Sequence, residues 1–114
     1  MFIKDGQTQA STITYPYMRN MLSGLYLDVS GGTVSSGTNV QIYTGNQTAS
    51  QKWKFELLSN GYYGIRSALS DSLALAVQSN YTSDRSNVCI RSIGNSNTNV
   101  PDYALWKVTD NGDC

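Results

Sequence analysis

Three side chains set the chemical possibilities of this 114-residue chain: the carboxylate of Asp28, the carboxamide of Gln41 and the phenol ring of Tyr43. A carboxylate accepts charge-assisted hydrogen bonds from vicinal hydroxyls, and an aromatic ring stacks on the apolar C–H face of a pyranose. Gln41 carries both donors and an acceptor, so it either meets a hydroxyl or braces Asp28. Each residue also has an ordinary alternative. Asp28 precedes Ser-Gly-Gly and is placed to cap that turn, while Tyr43 is an exposed strand aromatic.

The elements that must position these groups are short strands. Leu25-Tyr26-Leu27-Asp28-Val29 alternates strictly, which sends Leu25, Leu27 and Val29 to one side and Tyr26 and Asp28 to the other. Val40-Gln41-Ile42-Tyr43 alternates likewise, with Val40 and Ile42 inward and Gln41 and Tyr43 outward. Between them, Ser30 to Asn39 is almost wholly Gly, Ser, Thr and Asn, which is turn chemistry. The pair therefore brings the three polar groups to one outer face.

Composition narrows the function classes. Eight basic and eight acidic residues leave no net charge, and a charged fraction of 14% offers no basic stripe for nucleic acid or an anionic membrane. Histidine is absent, which excludes Ser-His and Cys-His nucleophilic machinery and His-based zinc sites. No metal and no cofactor is expected. The two cysteines, Cys89 and Cys114, either form one disulfide or remain thiols. Eight tyrosines and two tryptophans among many small polar residues suggest aromatic platforms on a β-rich body. The N-terminus lacks the apolar run of a signal peptide, and no stretch of eighteen apolar residues occurs. The expectation is a soluble chain without membrane insertion, any export signal being removed or carried on a longer precursor.

The chain repeats itself. Tyr15–Asn20 matches Tyr62–Ser67 at an offset of 47, Leu25–Val29 matches Leu73–Val77 at 48, and Asn39–Tyr43 matches Asn87–Arg91 at 48. Trp53 matches Trp106 at 53, so five extra residues lie between Ser92 and Tyr103. The division is a leader or remnant strand over 1–12, one unit over 13–60 and a second over 61–114. Each unit is expected to supply four strands, the first near 13–20, 25–29, 40–44 and 52–58. Inward positions keep their kind: Met18 and Ile65, Leu25 and Leu73, Leu27 and Leu75, Val29 and Val77, Val40 and Val88, Ile42 and Ile90. Outward positions do not, since Asp28 becomes Ala76, Gln41 becomes Cys89, Tyr43 becomes Arg91 and Gln51 becomes Ala104. That pattern marks the second unit as structural.

Gly24–Val29, then Asn39–Tyr43, then Gln51-Lys52-Trp53, in this order and spacing, resemble one repeat of the ricin-B-type lectins, β-trefoil carbohydrate-binding proteins marked by Gln-x-Trp. The resemblance implies an all-β fold of trefoil-type units, of which this chain carries two where a closed barrel takes three. The expectation is a piece of a longer lectin or a barrel shared between chains, because leaving strands out exposes sheet edges. Carried over residue by residue, Asp28 takes the sugar hydroxyls, Gln41 assists, Tyr43 is the aromatic platform fifteen positions after Asp28, and Asn46 adds a polar contact. Ser50 stands where the family has an Asn, and its hydroxyl has fewer donors than a carboxamide. Gln51, Trp53 and Trp106 take structural parts.

The function this implies is non-catalytic carbohydrate binding at one shallow site, galactose-type sugars first and xylose-type second, in a secreted module with further lectin or catalytic domains or an oligomeric partner. A single site of this kind holds a monosaccharide at about millimolar, roughly −4 kcal/mol. The alternative is a structural or protein-interaction trefoil with a lapsed site. A glycosidase needs two facing carboxylates, and Asp28 has no evident acidic mate: Asp71, Asp84 and Asp102 fall in loops of the other unit, and Glu56 lies on a strand near a Lys. Asn46-Gln47-Thr48 and Asn80-Tyr81-Thr82 also match the glycosylation sequon.

Overall fold

The computed structural model describes residues 12–13, 16–96 and 99–108. They form seven strands: β1 (Thr12–Ile13), β2 (Tyr26–Val29), β3 (Val40–Tyr43), β4 (Trp53–Leu57), β5 (Tyr63–Ser67), β6 (Ser70–Val77) and β7 (Val88–Ser92). Short 3₁₀ turns at Ser30–Gly32, Ala49–Gln51, Gln78–Asn80 and Asp102–Ala104 complete the pattern, with no α-helix among the described residues. The chain is all-β. Strands β1, β4, β5, β6 and β7 make one antiparallel sheet in that order, and β2 and β3 pair separately as a hairpin.

Bonding recurs at the offsets seen in the sequence. Trp53 Nε1 donates to the Leu27 carbonyl at 3.3 Å, and Trp106 Nε1 donates to the Leu75 carbonyl at 2.9 Å. Ser30 N donates to Asn39 O and Gln78 N to Asn87 O, each at 2.9 Å. An indole that fills the core while its N–H satisfies a strand carbonyl is well suited to such a position.

Val29, Val40, Trp53, Phe55, Tyr63, Ile65, Leu73, Leu75 and Ile90 form the buried core, with Met18, Leu27, Val88 and Trp106 packed partly buried against it. Ile42 departs from the expectation, because half of its surface is exposed (51%) while its counterpart Ile90 is sealed (0%). The reason is local. Segment 36–39 crosses β7, with Gly37 N donating to Ile90 O at 2.7 Å and Ile90 N to Thr38 O at 3.0 Å. Among the described residues no segment crosses β3 in that way.

The outward positions also need correcting. Ala76, Cys89 and Ala104 do not face solvent but are buried, as are Asp28 and Gln51 in the first copy. Ala74, Ala76 and Ala104 make a small second cluster against Ile93, Val100 and Tyr103. Arg91 is half-buried, its guanidinium 3.5 Å from the Tyr103 ring centroid, with Nη1 donating to Val77 O and Asn80 Oδ1.

Arg66 ties the start of the second copy's longer connection to β5. Arg66, itself buried, donates through Nε to Glu56 Oε1 at 2.7 Å, through Nη1 to the carbonyls of Asp71 and Gly94, and through Nη2 to Ser96 O at 3.0 Å. Lys54 Nζ reaches the other Glu56 oxygen at 3.3 Å. Burial pushes the Glu56 carboxyl upward, but the bonds and charges of Arg66 and Lys54 outweigh it and leave the pKa below its ordinary value.

Two expectations concern the ends of the chain. Of the leader over 1–12, residues 1–11 lie outside the described residues, while Thr12 already pairs in β1 opposite Glu56. The expected strand near 13–20 reduces, among described residues, to Ile13 and an isolated bridge between Arg19 and Tyr26. Cys89 carries a buried free thiol, and Cys114 lies outside the described residues.

Candidate carbohydrate site

The β2–β3 register sets the site. Asp28 lies opposite Gln41 and Tyr26 opposite Tyr43, so the four side chains share one face of the hairpin. Directly after Val29 the chain turns through Gly31 and Gly32, with φ of 64° and 65°, a region where glycine has no steric penalty. At Gly32 a Cβ would also stand 3.0 Å from Ser50 Oγ, so the bare backbone lets the Ser50 hydroxyl close over the turn.

Asp28, Val29, Gly31, Gly32, Gln41, Tyr43, Asn46, Thr48 and Ser50 line one pocket of about 350 Å³. All five residues singled out as ligand contacts, Asp28, Gln41, Tyr43, Asn46 and Ser50, are therefore brought together. Val29, Gly31, Gly32 and Thr48 were not expected there. The Gly-Gly pair following a strand end is a usable signal in the sequence, whereas Thr48 stands out there only as part of a sequon.

Asp28 is far more enclosed than its outward register suggests, with 4% of its surface exposed. Its Oδ1 accepts from Gln41 Nε2 at 3.2 Å and its Oδ2 from Gln51 Nε2 at 3.0 Å. The carboxylate is thus held by two side-chain amides, and Gln41 braces it as one of its two expected roles allowed. An ionised carboxyl has about four acceptor positions. The two amide bonds occupy two of them.

Gln51 is fully buried. Its Nε2 also donates to Thr44 O at 2.9 Å, and its Oε1 accepts from Asn46 N at 3.0 Å, so one side chain fixes both Asp28 and the segment that follows β3. Asn46 Oδ1 accepts from Thr48 N and from Thr48 Oγ1, which orients its amide. Tyr43 is 53% exposed and supplies the open aromatic surface of the pocket.

An oriented carboxylate, amide groups and an exposed ring face thus border a volume suited to a small polar ligand. Asp28 is the one carboxylate among the lining residues, so the paired acids of a glycosidase are not assembled there. In the second copy the Asp28–Gln41–Gln51 network is replaced as a set by Ala76, Cys89 and Ala104. Removing all partners of a buried polar network together avoids stranded donors.

Comparison with known proteins gives three findings. The family described as ricin-type beta-trefoil lectin domain-like matches residues 6–91. Flavastacin from Elizabethkingia meningoseptica is 27% identical over 105 residues, which cover 92% of this chain and 23% of Flavastacin. The crystal structure of the designed 3-fold symmetric protein ThreeFoil superposes with a TM-score of 0.69 at 27% identity, over 89% of this chain and 66% of that one. The chain thus spans under a quarter of Flavastacin and about two thirds of the design.

Proposed function

This chain belongs to the ricin-type beta-trefoil lectin domain-like family, and we propose that it is a non-catalytic carbohydrate-binding module whose single sugar site is the Asp28 pocket. One observation carries the reading: a carboxylate held by Gln41 and Gln51 and an exposed Tyr43 ring border the same pocket on the same hairpin face. Asp28 accepts from two sugar hydroxyls, Tyr43 stacks on the C–H face, and Asn46 and Ser50 meet the remaining polar edge. Galactose-type sugars come first because their continuous C–H patch suits an exposed phenol ring; xylose-type sugars come second.

The second copy serves as scaffold. Its apolar Ala76, Cys89 and Ala104 positions and the Arg91 guanidinium occupying one face of Tyr103 support this. The match to 66% of a 3-fold symmetric protein supports a reading as two units of three over 13–60 and 61–114. The half-exposed Ile42 supports a partner surface completed by a third unit, whether on a longer polypeptide or on another chain. A secreted setting goes with the carbohydrate reading. No helix among the described residues is long and apolar enough to cross a membrane.

Isothermal titration with galactose and xylose, at ligand concentrations into the millimolar range, tests the site. Wild type is expected to bind at least one, and Asp28→Asn to lose binding while staying folded. No heat with either sugar and no hit on a glycan array would favour the second reading, an interaction module with a lapsed site, for which Ile42 is the motivating observation.

A further inference from the structure

A second cleft, of about 330 Å³, lies on the other side of the segment that follows β3 and is lined by Tyr17, Tyr26, Gly45, Gln47 and Gln51. Gly45 and Gln47 border this cleft, while Asn46 and Thr48 border the Asp28 pocket, so alternate residues of one segment serve the two hollows. Gln51 joins them chemically: it lines the second cleft and donates to Asp28.

The cleft has an aromatic corner. Tyr17 and Tyr26 meet edge to face, their centroids 5.7 Å apart at 76°, and Tyr17 remains 40% exposed. The corner depends on Gly45, because a Cβ there would come within 2.6 Å of Tyr26 Cε1. Any side chain at 45 would displace the ring. Tyr26 precedes Asp28 by two residues on the same strand face, a separation of about 6.6–6.8 Å along a strand. That is the scale of one sugar residue.

We propose that the Tyr17–Tyr26 cleft is a second sugar subsite, so that the preferred ligand is a glycan of at least two residues lying across Gly45–Thr48. This rests on the carbohydrate reading of the Asp28 pocket. One residue of the glycan is held by Asp28 and Tyr43, and its neighbour stacks in the tyrosine corner with the Gln47 carboxamide at its hydroxyls. Tyrosine rings and amides without a carboxylate suit a residue recognised by its apolar face, which tolerates variation in hydroxyl configuration.

Calorimetry with monosaccharides and with their di- and trisaccharides tests it: galactose against galactobiose, and xylose against xylobiose and xylotriose. The oligosaccharide is expected to bind wild type about tenfold more tightly than the monosaccharide, which corresponds to about 1.4 kcal/mol. Tyr17→Ala should abolish that gain and leave monosaccharide affinity unchanged. Gln47→Gly, placed where φ is 60° and glycine is at ease, should reduce the gain without endangering the fold. Monosaccharide binding with no gain on lengthening, or a gain that survives both substitutions, overturns the second subsite and leaves the Asp28 site standing. Absence of binding by every sugar overturns both.

Discussion

Removing Asp28 and Gln51 singly and together measures how far the site is one device. Asp28→Ala leaves an amide N–H of the fully buried Gln51 without its acceptor and frees Gln41 Nε2, which water can reach. A hydrogen bond to a charged group contributes about 1.5–3 kcal/mol, and stranding a buried donor costs about 1–3 kcal/mol. The single substitution should therefore destabilise by about 2–3 kcal/mol. Gln51→Ala strips Asp28 of one partner and also releases Asn46 N and Thr44 O, both on an exposed segment, for a similar cost. In the double variant neither group is stranded by the other, so the total should fall short of the sum by about 1–2 kcal/mol, a coupling within the range for contacting residues. Urea unfolding followed by tryptophan fluorescence reads all four corners of the cycle. Additivity within about 0.3–0.5 kcal/mol, the behaviour of independent sites, would refute the claim that Gln51 holds Asp28 in place.

Three further outcomes follow from the packing and the charges. Ile90→Ala should cost about 2–5 kcal/mol as a buried truncation, whereas Ile42→Ala should cost well under half of that; equal costs in urea unfolding would mean that Ile42 is covered. Glu56 has its folded pKa lowered, so its contribution to stability is complete above the unfolded value of about 4.3 and is lost as pH falls through the lower folded value. Glu56→Gln should flatten that part of the acid-unfolding curve, and an unchanged slope would count against the Arg66–Glu56 pair. Burial pushes the Cys89 thiol up, with Arg91 partly opposing it, so in a Cys114→Ser background alkylation at pH 8 should be slow until urea unfolds the chain; prompt labelling of the folded protein would contradict the buried placement.

Much of this was legible in the residues, and the gaps have physical causes. Strict alternation in Leu25–Val29 and Val40–Tyr43 is a local property, so the hairpin and its shared face could be read directly, as could the paired tryptophans. Ile42 could not, because its exposure depends on whether another segment crosses β3, and alternation reports direction rather than cover. One of the two amides that hold Asp28 belongs to Gln51, twenty-three residues away, and a contact of that range leaves no periodic trace. Ala76, Cys89 and Ala104 looked like losses on an outer surface. Their small apolar side chains are instead what a buried position needs once its hydrogen-bonding partners have gone.

Arg66 carries a wider consequence. Because a single guanidinium reaches from β5 to the carbonyls of Gly94 and Ser96, the lengthened connection between Ser92 and Tyr103 is tethered near its start. The same end of β7 is bonded to the loop that joins β2 to β3, since Ser92 N donates to Ser36 Oγ at 3.0 Å and Ile90 exchanges bonds with Gly37 and Thr38. A foreign peptide grafted close to Ser92 would therefore lean both on a buried cation and on the loop of the recognition hairpin, which makes the start of this connection a poor place for insertion.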